Sequence, residues 1–141
     1  MTCPLCTGPG GRILWRDNFC RVVLADEPDY PAFCRVILNA HVKEMSDLDT
    51  ASRRRLMDVV HAVETALRAL LDPDKINLAS LGNVVPHVHW HVIPRYADDA
   101  HFPDPVWAAP RRTGRRHGTE KLEEKLAAAL RQRLSVPQGK E

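Results

Sequence analysis

Pro86-His87-Val88-His89-Trp90-His91-Val92-Ile93-Pro94 is the stretch that decides how this chain folds. Alternate side chains of a strand share a face. His87, His89 and His91 therefore line one face, and Val88, Trp90 and Val92 line the other. The apolar face predicts a sheet backed by a helix, and the histidine face predicts a cleft or a ligand. Successive imidazoles stand about 6.6 Å apart at a rise near 3.3 Å per residue. Two protonated rings at that spacing repel by about 2.5 kcal/mol at an effective dielectric near 20. That repulsion equals nearly two pKa units, roughly, so at least one ring is neutral at neutral pH. A neutral imidazole nitrogen is a nucleophile or a metal ligand.

Upstream of that strand lie four more. Arg12–Trp15 and Cys20–Leu24 read as short strands, and Asp26–Pro31 has turn chemistry throughout. Phe33–Leu38 is almost continuously apolar, as a central strand covered on both faces should be. A helix of about six turns follows, with Ser46 as its expected cap and Asp47 and Asp49 at the positive end of its dipole. Leu56, Val59, Val60, Val63, Leu67, Leu70 and Leu71 form its apolar stripe, and Asp72-Pro73-Asp74 ends it. Lys75–Ala79 is a further strand.

Downstream, residues 94–110 are rich in proline and aromatics and read as an ordered loop that includes Trp107. Arg111, Arg112, Arg115 and Arg116 read as a solvated basic segment. Thr119–Leu134 reads as a C-terminal helix with leucine at every fourth position, its end frayed from Ser135. The expected fold is therefore α+β, a five-stranded, mostly antiparallel sheet with one long helix and a C-terminal helix.

A chain of 141 residues suits one domain. Apolar residues make up 44% and charged residues 27%, which excludes a disordered chain. No apolar run approaches the roughly 20 residues of a membrane span. Lys and Arg total 20 against 18 Asp and Glu, so no basic field points to nucleic acid. The opening residues lack the charged and apolar regions of a secretory signal, which suggests a cytoplasmic protein with reduced cysteines. Cys3-Pro4-Leu5-Cys6 is half of a structural zinc site. Cys20 and Cys34 are available as further ligands but read better as small buried hydrophobes in strand interiors. Two of the clustered histidines with one more ligand are also enough for a hydrolytic zinc with an open position.

The run His87-Val88-His89-Trp90-His91-Val92-Ile93, followed by Pro94-Arg95, resembles the histidine triad (HIT) motif. Val36-Ile37-Leu38-Asn39-Ala40-His41 and Leu48 are similar to that family's strand-loop-helix, and the early Cys-x-x-Cys is similar to its zinc-bearing members. The likeness covers residues 3–107. It implies a HIT-like fold over residues 1–110, with 111–141 as a basic linker and C-terminal helix or tail. It also implies a nucleotide hydrolase or transferase acting at the α-phosphate of nucleoside phosphoramidates or dinucleoside polyphosphates.

By the same resemblance His89 is the nucleophile that forms a nucleotidyl-histidine, His91 hydrogen-bonds at the phosphate, and His87 completes the triad. Asp26 falls near the position that holds the ribose hydroxyls, Asn83 near a phosphate-contacting residue, and Asn77 at an upstream asparagine. Cys3, Cys6, His41 and His87 fill the ligand positions of a structural zinc, and the chemistry itself calls for no cofactor. The implied partner is a purine nucleotide or dinucleotide, and family members are commonly homodimers. Val84 stands where a serine is frequent and Phe33 where some members carry a fourth histidine. The competing readings are a zinc hydrolase that uses the triad as ligands and a nucleotide-binding module without turnover.

Overall fold

The computed structural model describes residues 2–134. Strands β1 (Arg12–Arg16), β2 (Cys20–Leu24), β3 (Cys34–Leu38), β4 (Lys75–Ala79) and β5 (His89–Arg95) form one sheet in the order β1-β2-β3-β5-β4. Every neighbouring pair is antiparallel. A single turn of helix, α1 (Pro4–Thr7), precedes the sheet, and α2 (Thr50–Leu71) and α3 (Leu122–Leu134) pack on it. Among the described residues no helix is long and apolar enough to cross a membrane.

The stripe predicted on α2 is buried at Leu56, Val59, Val60, Val63 and Leu67. It faces Val22, Leu24, Val36, Leu38, Val88 and Val92, and Leu122, Leu126 and Leu130 of α3 join the same core. Each such side chain contributes about 1.5–3 kcal/mol when fully removed from water. The cap is Asp49, whose carboxylate accepts from the Ser52 amide at 2.8 Å, and not Ser46. Ser46 falls in a 3₁₀ turn, Met45–Asp47, closed by reciprocal Glu44–Asp47 hydrogen bonds. Leu48 is extended after that turn, so helical backbone begins only beyond it. The C-terminal helix likewise starts at Leu122 rather than Thr119, because Lys121 adopts a left-handed φ of 58°. The fraying expected from Ser135 lies outside the described residues.

The opposite face of the sheet is covered only at its two ends. Leu5 packs on Val23 and Ile37 at one end. Tyr30, Phe33, Ala25 and Ile93 cluster at the other, joined by Val106 from the loop after β5. Asp99 ties that loop down. Its carboxylate accepts from Arg95 Nε at 2.8 Å and Nη2 at 3.0 Å, from the amides of Tyr96, His101 and Phe102, and from the Tyr30 hydroxyl. Burial opposes ionisation of Asp99, but Arg95 and those amides outweigh it and hold its carboxyl well below the usual carboxylate range. His101, unassigned from sequence, is buried here with Nδ1 2.6 Å from the Tyr30 hydroxyl.

The arginine cluster is exposed, as a solvated basic segment should be, but it is also tied to the loop. Arg112 donates to the carbonyls of Asp99 and Phe102, Arg111 pairs with Asp104, and the Arg115 amide bonds Asp98. Gly114 allows the approach, because a Cβ there would collide with the backbone nitrogen of Ala100. Residues 111–117 thus strap the loop instead of trailing from it.

Candidate functional site

β5 forms the floor of the site. Its register sets Ile37 opposite His89 and Arg35 opposite His91, so these side chains share one face. The rings of His89 and His91 lie 5.0 Å apart, edge to face. His89 Nδ1 sits 2.7 Å from the carbonyl of His87. A carbonyl only accepts, so in the neutral ring the proton is on Nδ1 and the lone pair is on Nε2. His91 Nδ1 is buried without a partner among the described residues. Burying an unpaired donor is the costlier choice, which places the His91 proton on Nε2. The two neighbouring rings therefore carry complementary tautomers, one offering a lone pair and the other an N–H.

His91 stays neutral at working pH. Burial, then the fields of His89 and Arg35, push its pKa down to about 4 from 6.5. Between those values the unfolded chain binds a proton that the folded chain does not. Stability is therefore complete above about pH 6.5 and falls as pH drops toward 4, by roughly 3 kcal/mol from this group. In denaturant melts the protein should lose stability relative to His91→Gln as pH falls through that window. A constant difference would show that His91 is not held neutral by the fold.

His87 belongs to a different cluster. It precedes the paired part of β5, and its Nε2–H donates to the Leu38 carbonyl at 2.7 Å. That bond turns the Nδ1 lone pair toward Cys3 Sγ at 3.4 Å and Cys6 Sγ at 3.6 Å. Cys6 Sγ is 3.3 Å from His41 Nδ1, and the four donor atoms lie within 4.8 Å of one another. Tetrahedral zinc with Zn–S near 2.3 Å and Zn–N near 2.0 Å requires S···N distances of about 3.5 Å. The donor set fits the metal in both chemistry and spacing, and the Leu38 carbonyl orients the His87 ring as ligand-supporting bonds do. Burial, with the fields of His41, Arg21 and His89, lowers the His87 pKa against the effect of the Leu38 bond, which keeps its ligand nitrogen unprotonated. Among the described residues this is the one group of three or more such side chains, so the triad does not form a ligand cluster of its own. Cys20 and Cys34 are fully buried in β2 and β3, with thiols pushed up to about 12, Cys34 by burial and Cys20 by burial and the field of Asp17.

Sequence reasoning passed over Arg21, which holds this hook from behind. It donates to the carbonyls of Leu5, Gly8 and Pro9 and to Asn39 Oδ1. It also passed over Arg35. In each case the available signal was a lone charge inside a strand that is otherwise buried.

A cleft of about 510 Å³ opens over His89 and His91. Pro4, Leu5, Gly10 and Arg35 line one side, and Leu81–Val85 with Trp107 line the other. Trp107 is half exposed, its ring 5.0 Å from that of His91. Asn83 lines this cleft. Asn77 instead accepts from Arg95 Nη1 at 2.7 Å, two residues along β4 from the partner of His91. Asp26 is exposed on the turn after β2.

Solved structures share this fold. A histidine triad protein from Bradyrhizobium japonicum is 27% identical, with a TM-score of 0.71 over 89% of this chain and 92% of that one. One from Marinobacter aquaeolei VT8 is also 27% identical, with a TM-score of 0.70 over 90% of each chain. A zinc-bound histidine triad family protein from Mycobacterium smegmatis shares the fold at 23% identity, with a TM-score of 0.66 over 97% of this chain and 99% of that one. No curated protein matches. Residues 10–98 match the family model described as HIT domain, a span that runs from the approach to β1 through α2 to the end of β5. The chain belongs to the HIT domain family.

Proposed function

We propose that this protein is a nucleotide hydrolase or transferase that works through a nucleotidyl-histidine at His89. Membership of the HIT family supports nucleotide-directed hydrolysis or transfer in general. The finer reading rests on one observation, the Nδ1–H of His89 held on the His87 carbonyl, which leaves Nε2 as the attacking nitrogen. Its lone pair forms an N–P bond to the α-phosphorus as the bond to the leaving group breaks, and that group takes the electron pair, an amine also taking a proton from solvent at the cleft mouth. The leaving group is an amine in a phosphoramidate or a phosphate oxygen in a dinucleoside polyphosphate. The Nε2–H of His91 donates to a phosphoryl oxygen as charge builds there. Water then attacks phosphorus and gives up a proton, and the N–P bond returns its pair to the imidazole.

Asn83 serves as a further phosphate contact, Asn77 reaches the substrate only through the Arg95 network, and Asp26, exposed on the turn after β2, receives the ribose hydroxyls. Cys3, Cys6, His41 and His87 hold a structural zinc that supplies rigidity and no step of the reaction. A cytoplasmic homodimer completes the reading, with exposed Leu78, Leu81 and Val84 as apolar surface for the second copy.

Trapping tests the chemistry. The protein is mixed with a nucleoside phosphoramidate, quenched in alkali and mapped by mass spectrometry. An adduct of nucleotidyl mass on the His89 peptide is expected. Turnover without any adduct, abolished by stripping metal from a still folded protein, would favour the zinc hydrolase instead.

A further inference from the structure

We infer that Arg35 reads the nucleobase and selects guanine over adenine. The inference rests on the function proposed above and names the substrate that the cleft takes.

Arg35 interrupts the apolar run of the central strand and stands directly across from His91. It is partly buried, and its one hydrogen bond among the described residues runs from Nη1 to the Gly10 carbonyl at 3.1 Å. No carboxylate forms an ion pair with it among those residues, and Glu27 acts on it only through space. A guanidinium has five N–H donors and no acceptor, so most of this fork is left for a ligand rich in acceptors.

The direction of attack decides which part of the substrate arrives there. His89 rises from the sheet, so an in-line displacement sends the leaving group away from the sheet and out through the mouth of the cleft. The ester to the retained nucleoside lies across that axis and runs along the floor. On the β3 side the floor and wall are Arg35, Gly10, Pro4 and Leu5, a mostly apolar slot with one cationic fork. An apolar slot suits a planar base. Guanine presents O6 and N7 as two adjacent acceptors that match the fork, whereas adenine sets an amino donor against it.

The experiment compares guanosine and adenosine phosphoramidates of the same amine, and binding of GMP and AMP measured by calorimetry without turnover. The full chain should prefer guanosine by roughly 5- to 150-fold in kcat/KM, the discrimination of one good bidentate pair. In Arg35→Met and Arg35→Gln the guanosine-to-adenosine ratio should collapse toward one, mainly through KM. A chain without guanosine preference, or a preference that survives both substitutions, overturns the inference. So does an equal loss for both bases accompanied by a changed preference for dinucleoside polyphosphate over phosphoramidate, which would place the fork on a phosphate. A protein that binds GMP better than AMP through Arg35 yet turns nothing over would uphold the base reading and sink only the hydrolase.

Discussion

Replacing His89 with alanine should abolish turnover, a fall on the order of 10⁴- to 10⁶-fold in kcat, as expected when a covalent nucleophile is removed. The fold should survive. Among the described residues the His89 side chain bonds only to the carbonyl of His87, two residues earlier in the chain, and its ring stands at the cleft rather than in the helix-covered core. The variant should therefore melt close to the parent, still bind mononucleotide and form no nucleotidyl adduct. Steady-state rates, a thermal melt and the trapping assay together check it. Residual turnover near the parent level would remove His89 from the chemistry, and an adduct that persists in the variant would move the attack to another ring.

Stripping the metal should give the largest loss of stability. Structural zinc in small peptides is worth roughly 10–16 kcal/mol in apparent binding, and metal that binds only the folded chain stabilises it by mass action. Among the described residues before β1, the hook is held by Leu5 against Val23 and Ile37 and by the Arg21 clamp. Cys6→Ser should lose stoichiometric zinc and lower the melting temperature by more than about 10 °C, since each kcal/mol shifts it by several degrees in a domain of this size. Chelation of the parent should do the same. Activity should fall along with stability, because His87 both ligates and supplies the carbonyl that fixes the His89 tautomer. Metal analysis and calorimetric scans decide the point. A purified protein without zinc, or one whose melt ignores a chelator, would end the metal reading.

The elements that follow a strict period were legible without coordinates. Alternation placed Val88 and Val92 against the helices and His89 and His91 on the free face, and the spacing of Leu56 to Leu67 placed α2. What periodicity missed was decided by single backbone bonds or by charges. His87 sits in phase with the other two histidines, yet Val88 pairs outside the ladder with Val42 and Leu38, and the ring turns to the cysteines. Ser46 has cap chemistry, but the Glu44–Asp47 exchange claimed the turn first. Arg35 looks like an interruption until register sets it beside His91. Arg112 is exposed as expected, but its bonds to the carbonyls of Asp99 and Phe102, ten or more residues earlier, had no sequence signal. Apart from the local Glu44–Asp47 turn, such contacts join residues remote in sequence, and no local pattern encodes them.

The free face of the sheet is clad at one end by the segment before β1 and at the other by the segment after β5. His89 and His91 stand on the sheet itself, whereas Pro4, Leu5, Gly10 and Trp107 reach the cleft from those two overlays. In the proposed reaction the attacking ring and most of the apolar wall would thus come from separate pieces of polypeptide, with Arg35 of β3 as the polar exception. Exchanging the overlay after β5 for that of another member should reshape the cleft wall at Trp107 while the sheet keeps His89, His91 and Arg35 in register.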